Sequence, residues 1–110
     1  GSLDYVRDWS FAGDIMEAAS ILTFNDAKGS YVLGSGVGKS IKDLVQIVFS
    51  YFNLDWDKYV VVDNSLLRSG DPKIKISDPS KILNEYGWKT KLSFEDLIER
   101  CIEKTLSVSF

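Results

Sequence analysis

Arg7-Asp8-Trp9-Ser10-Phe11-Ala12-Gly13-Asp14 is the stretch around which the rest of the sequence can be arranged. It sets one of only three arginines beside an acid and an aromatic anchor, at what reads as the opening of a helix. Residues 4–9 alternate as a short strand or extended entry does, and Ser10 is the candidate N-cap of a helix over about 11–24. Ile15, Ala18, Ala19 and Leu22 recur at i, i+3, i+4 and i+7, which makes one apolar face. Asp14 and Glu17 lie in its first turns, where the helix dipole favours negative charge. Asn25 to Gly29 ends the helix and turns the chain.

Downstream, Ser30 to Leu33 predicts a short buried strand, and Gly34-Ser35-Gly36-Val37-Gly38 a glycine loop. That loop is no Walker A motif, because Leu33 stands where the first glycine is required and Gly34 comes one residue too late. It reads as a loop turning into a helix over about 41–52, with Ser40 and Asp43 as its capping box. The apolar stripe of that helix is Ile41, Leu44, Val45, Val48, Phe49 and Phe52. Tyr59 to Val62 is β-branched and aromatic and predicts a fully buried strand, while Lys73 to Ser77 alternates as a brief strand with one wet face. Asp78-Pro79-Ser80 opens a helix over about 79–86, with proline in its first position, Gly87 as cap and Trp88 packing back. Ser93-Phe94-Glu95-Asp96 starts a last helix that runs to about Leu106. The expected fold is a single small mixed α/β domain over residues 1–110, with about four helices and three or four short strands. Connections are short, and no segment repeats or is of low complexity.

Composition narrows the function. Thirteen basic and sixteen acidic side chains leave a net charge of −3, which offers no general attraction to nucleic acid or an anionic membrane. A lone cysteine, Cys101, provides no disulfide framework or cysteine-based zinc site, and without histidine there is no imidazole base or metal ligand. No apolar run approaches the roughly 20 residues of a membrane span, and no signal peptide opens the chain. The expectation is a cytoplasmic domain that holds any anion through a local arrangement of donors.

Two arginines are candidates for that arrangement. Ten of the thirteen basic residues are lysines, and Arg7 and Arg68 fall in irregular segments, whereas Arg100 lies on a helix face. Taken alone, Arg7 reads as an ion pair with a packing anchor, and Arg68 as a solvated loop residue. Their scarcity favours a specific use, and the planar guanidinium fork suits bidentate contact with a diphosphate better than a lysine does.

The chain also resembles a known family. Arg7-Asp8-Trp9 with Ala12, Asp14 and Glu17-Ala18 is similar to the opening of the substrate domain of GDP-mannose 4,6-dehydratases, which are extended short-chain dehydrogenase/reductases acting on sugar nucleotides. The resemblance continues through Tyr31-Val32, Ser40, Leu54 to Val60, Arg68, Asp71-Pro72, Asp78 to Lys81, Gly87-Trp88 and Ser93 to Leu97, covering about residues 3–105. It implies that Arg7 and Arg68 approach the nucleotide diphosphate. It also implies that Asp71, standing where the dehydratases usually carry the glutamate of Arg-Pro-x-Glu, reaches toward the ribose or base side. Here that loop reads Arg68-Ser69-Gly70-Asp71, a form that resembles epimerases and other dehydratases of the superfamily. Asp78, Ser80 and Lys81 are read as capping and orienting a helix.

The resemblance implies equally that half of the machine lies elsewhere. The family's Rossmann half carries a Gly-x-x-Gly-x-x-Gly loop, a Tyr-x-x-x-Lys pair and a catalytic Ser or Thr. No tyrosine here is followed four residues later by lysine. The expectation is therefore a C-terminal substrate-binding subdomain with no catalytic or cofactor residues of its own, either a fragment of a longer enzyme or a stand-alone remnant. Its parent enzyme would be homo-oligomeric, use NAD or NADP, and convert GDP-mannose to GDP-4-keto-6-deoxymannose. Gly1-Ser2 reads either as a cloning remnant or as native sequence. The alternatives are the same subdomain of a nucleotide-sugar epimerase or reductase, or a small non-catalytic interaction domain.

Overall fold

The computed structural model describes residues 1–108. Within them the order is β1 (Val6–Asp8), α1 (Ala12–Phe24), β2 (Gly38–Ser40), α2 (Ile41–Tyr51), β3 (Ile74–Lys75), α3 (Ser80–Tyr86) and α4 (Phe94–Leu106), with 3-10 turns at Trp56–Lys58 and Asn64–Leu66. The strands form one mixed sheet in the order β2-β1-β3. β1 is central: it runs antiparallel to β2, with Arg7 opposite Lys39, and parallel to β3, with Arg7 opposite Lys75. The expected small mixed α/β architecture with four helices is what the chain adopts.

Helix ends follow local chemistry closely. The Ser40 hydroxyl accepts from the Asp43 amide and the Asp43 carboxylate from the Ser40 amide, which closes the capping box that starts α2. Ser93 accepts from Asp96 N–H at the start of α4, and Gly87, at φ 69°, is the left-handed cap of α3. Two expectations fail in detail. The N-cap of α1 is Phe11, without a side-chain bond, because the Ser10 hydroxyl donates instead to Asp8 Oδ1 at 3.3 Å. Pro79 is the N-cap of α3, one place before its first helical residue.

The strands differ more. Residues 30–33 are extended but unpaired: Tyr31 and Leu33 pack inward while Val32 faces out. The second strand instead forms at Gly38–Ser40, from the last residue of the expected glycine loop to the N-cap of α2. The expected buried strand at Tyr59–Val62 is absent, and Val61 is 88% exposed. An apolar, β-branched run needs a neighbouring strand to bury it, and none among the described residues pairs with it. β3 is only two residues long and both are exposed, so it has no dry face.

The core is divided. Ala18 of α1, Ile82 of α3 and Trp88 form one cluster, flanked by Ile15, Leu22, Tyr31 and Leu33. Phe94, Ile98 and Ile102, one stripe of α4, form the other, packed by Trp9 and by Leu44, Ile47 and Val48 of α2. The α2 stripe is thus turned toward Ile47, and Phe52 stays outside, 43% exposed. Trp9 joins sheet to helices: its ring lies 6.1 Å from that of Phe94 and its Nε1 donates to Lys39 O.

Candidate functional site

Arg7 sits on the central strand and is fixed by the chain that enters β3. Both Nη1 protons have acceptors, Val6 O at 2.8 Å and Pro72 O at 3.0 Å, and Nη2 donates to Asp71 Oδ1 at 2.8 Å. The Tyr5 ring lies 5.5 Å from its Cζ. Nε and the second Nη2 proton have no acceptor among the described residues, and neither does Asp71 Oδ2 have a donor there. The pair therefore keeps a donor edge and an acceptor oxygen for something else.

Arg68 reaches the same place through a turn. Asp71 N–H donates to Arg68 O, and Gly70 between them has φ 78°, the left-handed backbone that a type II turn demands of its third residue. The turn swings Asp71 back onto Arg7 and leaves Arg68 exposed. Arg7, Arg68 and Asp71 then line one cleft of about 270 Å³ together with Tyr5, Leu66 and Leu67. The three residues singled out in the sequence, with sixty residues of chain between the arginines, lie around a single opening.

A second cleft, of about 550 Å³, is also lined by Arg7. Asp8, Ser10 and Ser77 give it polar walls, Ile15 and Leu33 apolar ones, and Lys75 a cation. Arg7 lines both clefts.

Behind Arg7, Asp8 locks the site together. Its carboxylate accepts from the amide and hydroxyl of Ser35, from Gly36 N–H at 2.9 Å, and from the amide and hydroxyl of Ser77. Burial alone would raise its pKa, but the Ser35 and Ser77 hydroxyls and the Gly36 and Ser35 amides outweigh it and bring the group down to about 2. Asp8 is thus a fixed anion that ties β1, the glycine loop and the segment after β3. The glycine loop does cradle an anion, and that anion is a side chain of the same protein. Sequence reasoning missed this role, as it missed that of Asp14, which is buried and accepts from the Lys91 and Leu92 amides rather than merely favouring the start of α1. No local signal pointed to Asp8, because its donors come from segments 27 and 69 residues away in the chain. Asp78 accepts from the Ser80 amide, although the N-cap of α3 is Pro79, and Lys81 donates to Ser30 O.

No helix among the described residues is long and apolar enough to cross a membrane. The family profile for GDP-mannose 4,6 dehydratase matches residues 1–101. "GDP-mannose 4,6 dehydratase 2" of Arabidopsis thaliana is 29% identical over 109 residues, covering 99% of this chain and 29% of that protein. Among solved structures, the Bordetella bronchiseptica enzyme WbmG in complex with NAD superposes with a TM-score of 0.75 at 30% identity, over 91% of this chain and 31% of that one. UDP-glucose 4-epimerase with UDP-glucose from Thermotoga maritima does so with a TM-score of 0.76 at 27% identity, over 97% of this chain and 34% of that one. The chain thus spans about a third of the length of the relatives it matches. From the profile match across nearly its whole length, the chain belongs to the GDP-mannose 4,6-dehydratase family.

Proposed function

We propose that this chain is the C-terminal substrate-binding portion of a nucleotide-sugar 4,6-dehydratase, a lyase that in full converts GDP-mannose to GDP-4-keto-6-deoxymannose. One observation carries the reading: Arg7, buttressed by Asp71 and with donors to spare, lines a cleft with Arg68 and Asp71 as well as a larger one. In this arrangement the two guanidinium groups hold the diphosphate, and Asp71 Oδ2 accepts from a hydroxyl on the nucleoside side. The sugar lies in the larger cleft beyond Arg7. Family membership and likeness to structures holding NAD and UDP-glucose support it.

The nicotinamide, NAD or NADP, takes and returns a hydride in such an enzyme, and this chain does not fit it. Its glycine loop already donates the Ser35 and Gly36 amides to Asp8, and it has no Tyr-x-x-x-Lys pair. A Rossmann domain elsewhere in the parent enzyme supplies both, and closes the clefts. The parent enzyme is cytoplasmic and homo-oligomeric.

The test is calorimetric titration of the full-length protein with GDP-mannose, beside UDP-, CDP- and dTDP-sugars to identify the base. Arg7→Ala and Arg68→Ala should each weaken binding by about 1.5–3 kcal/mol, the scale of a charge-assisted hydrogen bond. Unchanged affinity in both variants overturns the clamp.

A further inference from the structure

Charge balance at the clamp exposes a deficit. A diphosphate linkage carries one negative charge on each phosphate. Arg7 and Arg68 bring two positive charges, but Asp71 is ion-paired to Arg7 at 2.8 Å and cancels one of them. Two less one leaves a single positive charge against two negative ones.

The sheet places further cations beside Arg7. Lys39 and Lys75 stand opposite it in register on the two flanking strands. Like charges directly across a sheet repel, and an anion between them relieves this. Lys39 is turned away: its Nζ lies 3.9 Å from Glu95 and 6.0 Å from the centre of the Phe94 ring, and it lines no cleft with Arg7. Lys75 is different. It has no ion-pair or hydrogen-bond partner among the described residues, it is exposed, and it shares the larger cleft with Arg7.

We propose that Lys75 is a third phosphate-binding cation, placed on the sugar side of Arg7, where it neutralises the distal phosphate. The proposal rests on the substrate-binding reading above and deepens it. Lys75 also lies on an edge strand, where lysine commonly guards against pairing with another chain. That role leaves ligand affinity untouched, which separates the two.

The experiment titrates the full-length protein and its Lys75→Met and Lys75→Arg variants with GDP-mannose and with GMP, which lacks the distal phosphate. Lys75→Met should bind GDP-mannose about tenfold more weakly, the order of one hydrogen bond to a charged group. It should bind GMP as the parent protein does, and Lys75→Arg should keep most of the GDP-mannose affinity. Unchanged GDP-mannose affinity in Lys75→Met overturns the proposal, as does an equal loss for both ligands; self-association with unchanged affinity assigns Lys75 to edge protection and overturns it too. If Arg7→Ala and Arg68→Ala lose affinity while Lys75→Met does not, only the third cation is removed. If none of the three loses affinity, the clamp itself is removed.

Discussion

Arg7 and Asp8 are neighbours whose charges serve opposite ends. Arg7 keeps part of its donor edge open, whereas Asp8 is saturated by Ser35, Gly36 and Ser77. Asp8 should therefore set the acid limit of stability. Its folded pKa, about 2, lies below the ordinary 3.8, so its contribution is fully present above about pH 4. It is lost as pH falls through about 2. Allowing for partial exposure, the amount is on the order of 1–2 kcal/mol. Asp8→Asn keeps the shape, loses the charge and sets an amide against amide donors, and should lower stability by about 2 kcal/mol at neutral pH. Urea unfolding from pH 7 to pH 2 would show the two proteins converging in acid; parallel curves would mean that Asp8 is not the group responsible.

At the scale of elements, the glycine loop packs too closely for a side chain at Gly34. A Cβ on Gly34 would come within 2.8 Å of Ser77 Cβ and 3.1 Å of Asp8 Oδ2. Gly34→Ala should therefore push Ser77 off Asp8 and cost about 2–3 kcal/mol, the scale of overpacking a filled site. Thermal unfolding measures it, and an unchanged midpoint would show that the loop yields freely. The helices were legible because their signals are local: Ser40 with Asp43, Gly87, Ser93, and the i, i+3, i+4, i+7 spacing of Ile15, Ala18, Ala19 and Leu22. The strands were not. Val60 to Val62 has every intrinsic mark of a strand and lacks a partner, while Gly38-Lys39-Ser40 has none of those marks and pairs with β1. Strand formation is a contract between two segments, and propensity describes only one of them.

The molecule as a whole is a slab, 50 × 38 × 22 Å, with a radius of gyration of 16.8 Å. A compact domain of this length has about 13 Å. Its thinness leaves Phe24, Val61, Leu66 and Ile74 largely exposed. A slab with two small cores and this much apolar surface fits a lobe that rests on another body. Expressed by itself, the 110-residue chain should self-associate with rising concentration and bind a hydrophobic dye. Light scattering and dye fluorescence check both, and a dye-silent monomer would mean that the slab is self-sufficient.

The sequence by itself determined the four helices, the caps at Ser40, Gly87 and Ser93 and the mixed α/β class, through short-range spacing, and it singled out Arg7, Arg68 and Asp71 as candidates. Asp71 was legible as a site residue, but not as the partner of Arg7. Only the tertiary structure decided that pairing, the position of β2, the locking of Asp8 and the place of Lys75 beside Arg7. Each of these depends on groups that meet across twenty-seven or more residues of chain. Such meetings are set by which surfaces pack and which strands find partners, and no local pattern encodes them.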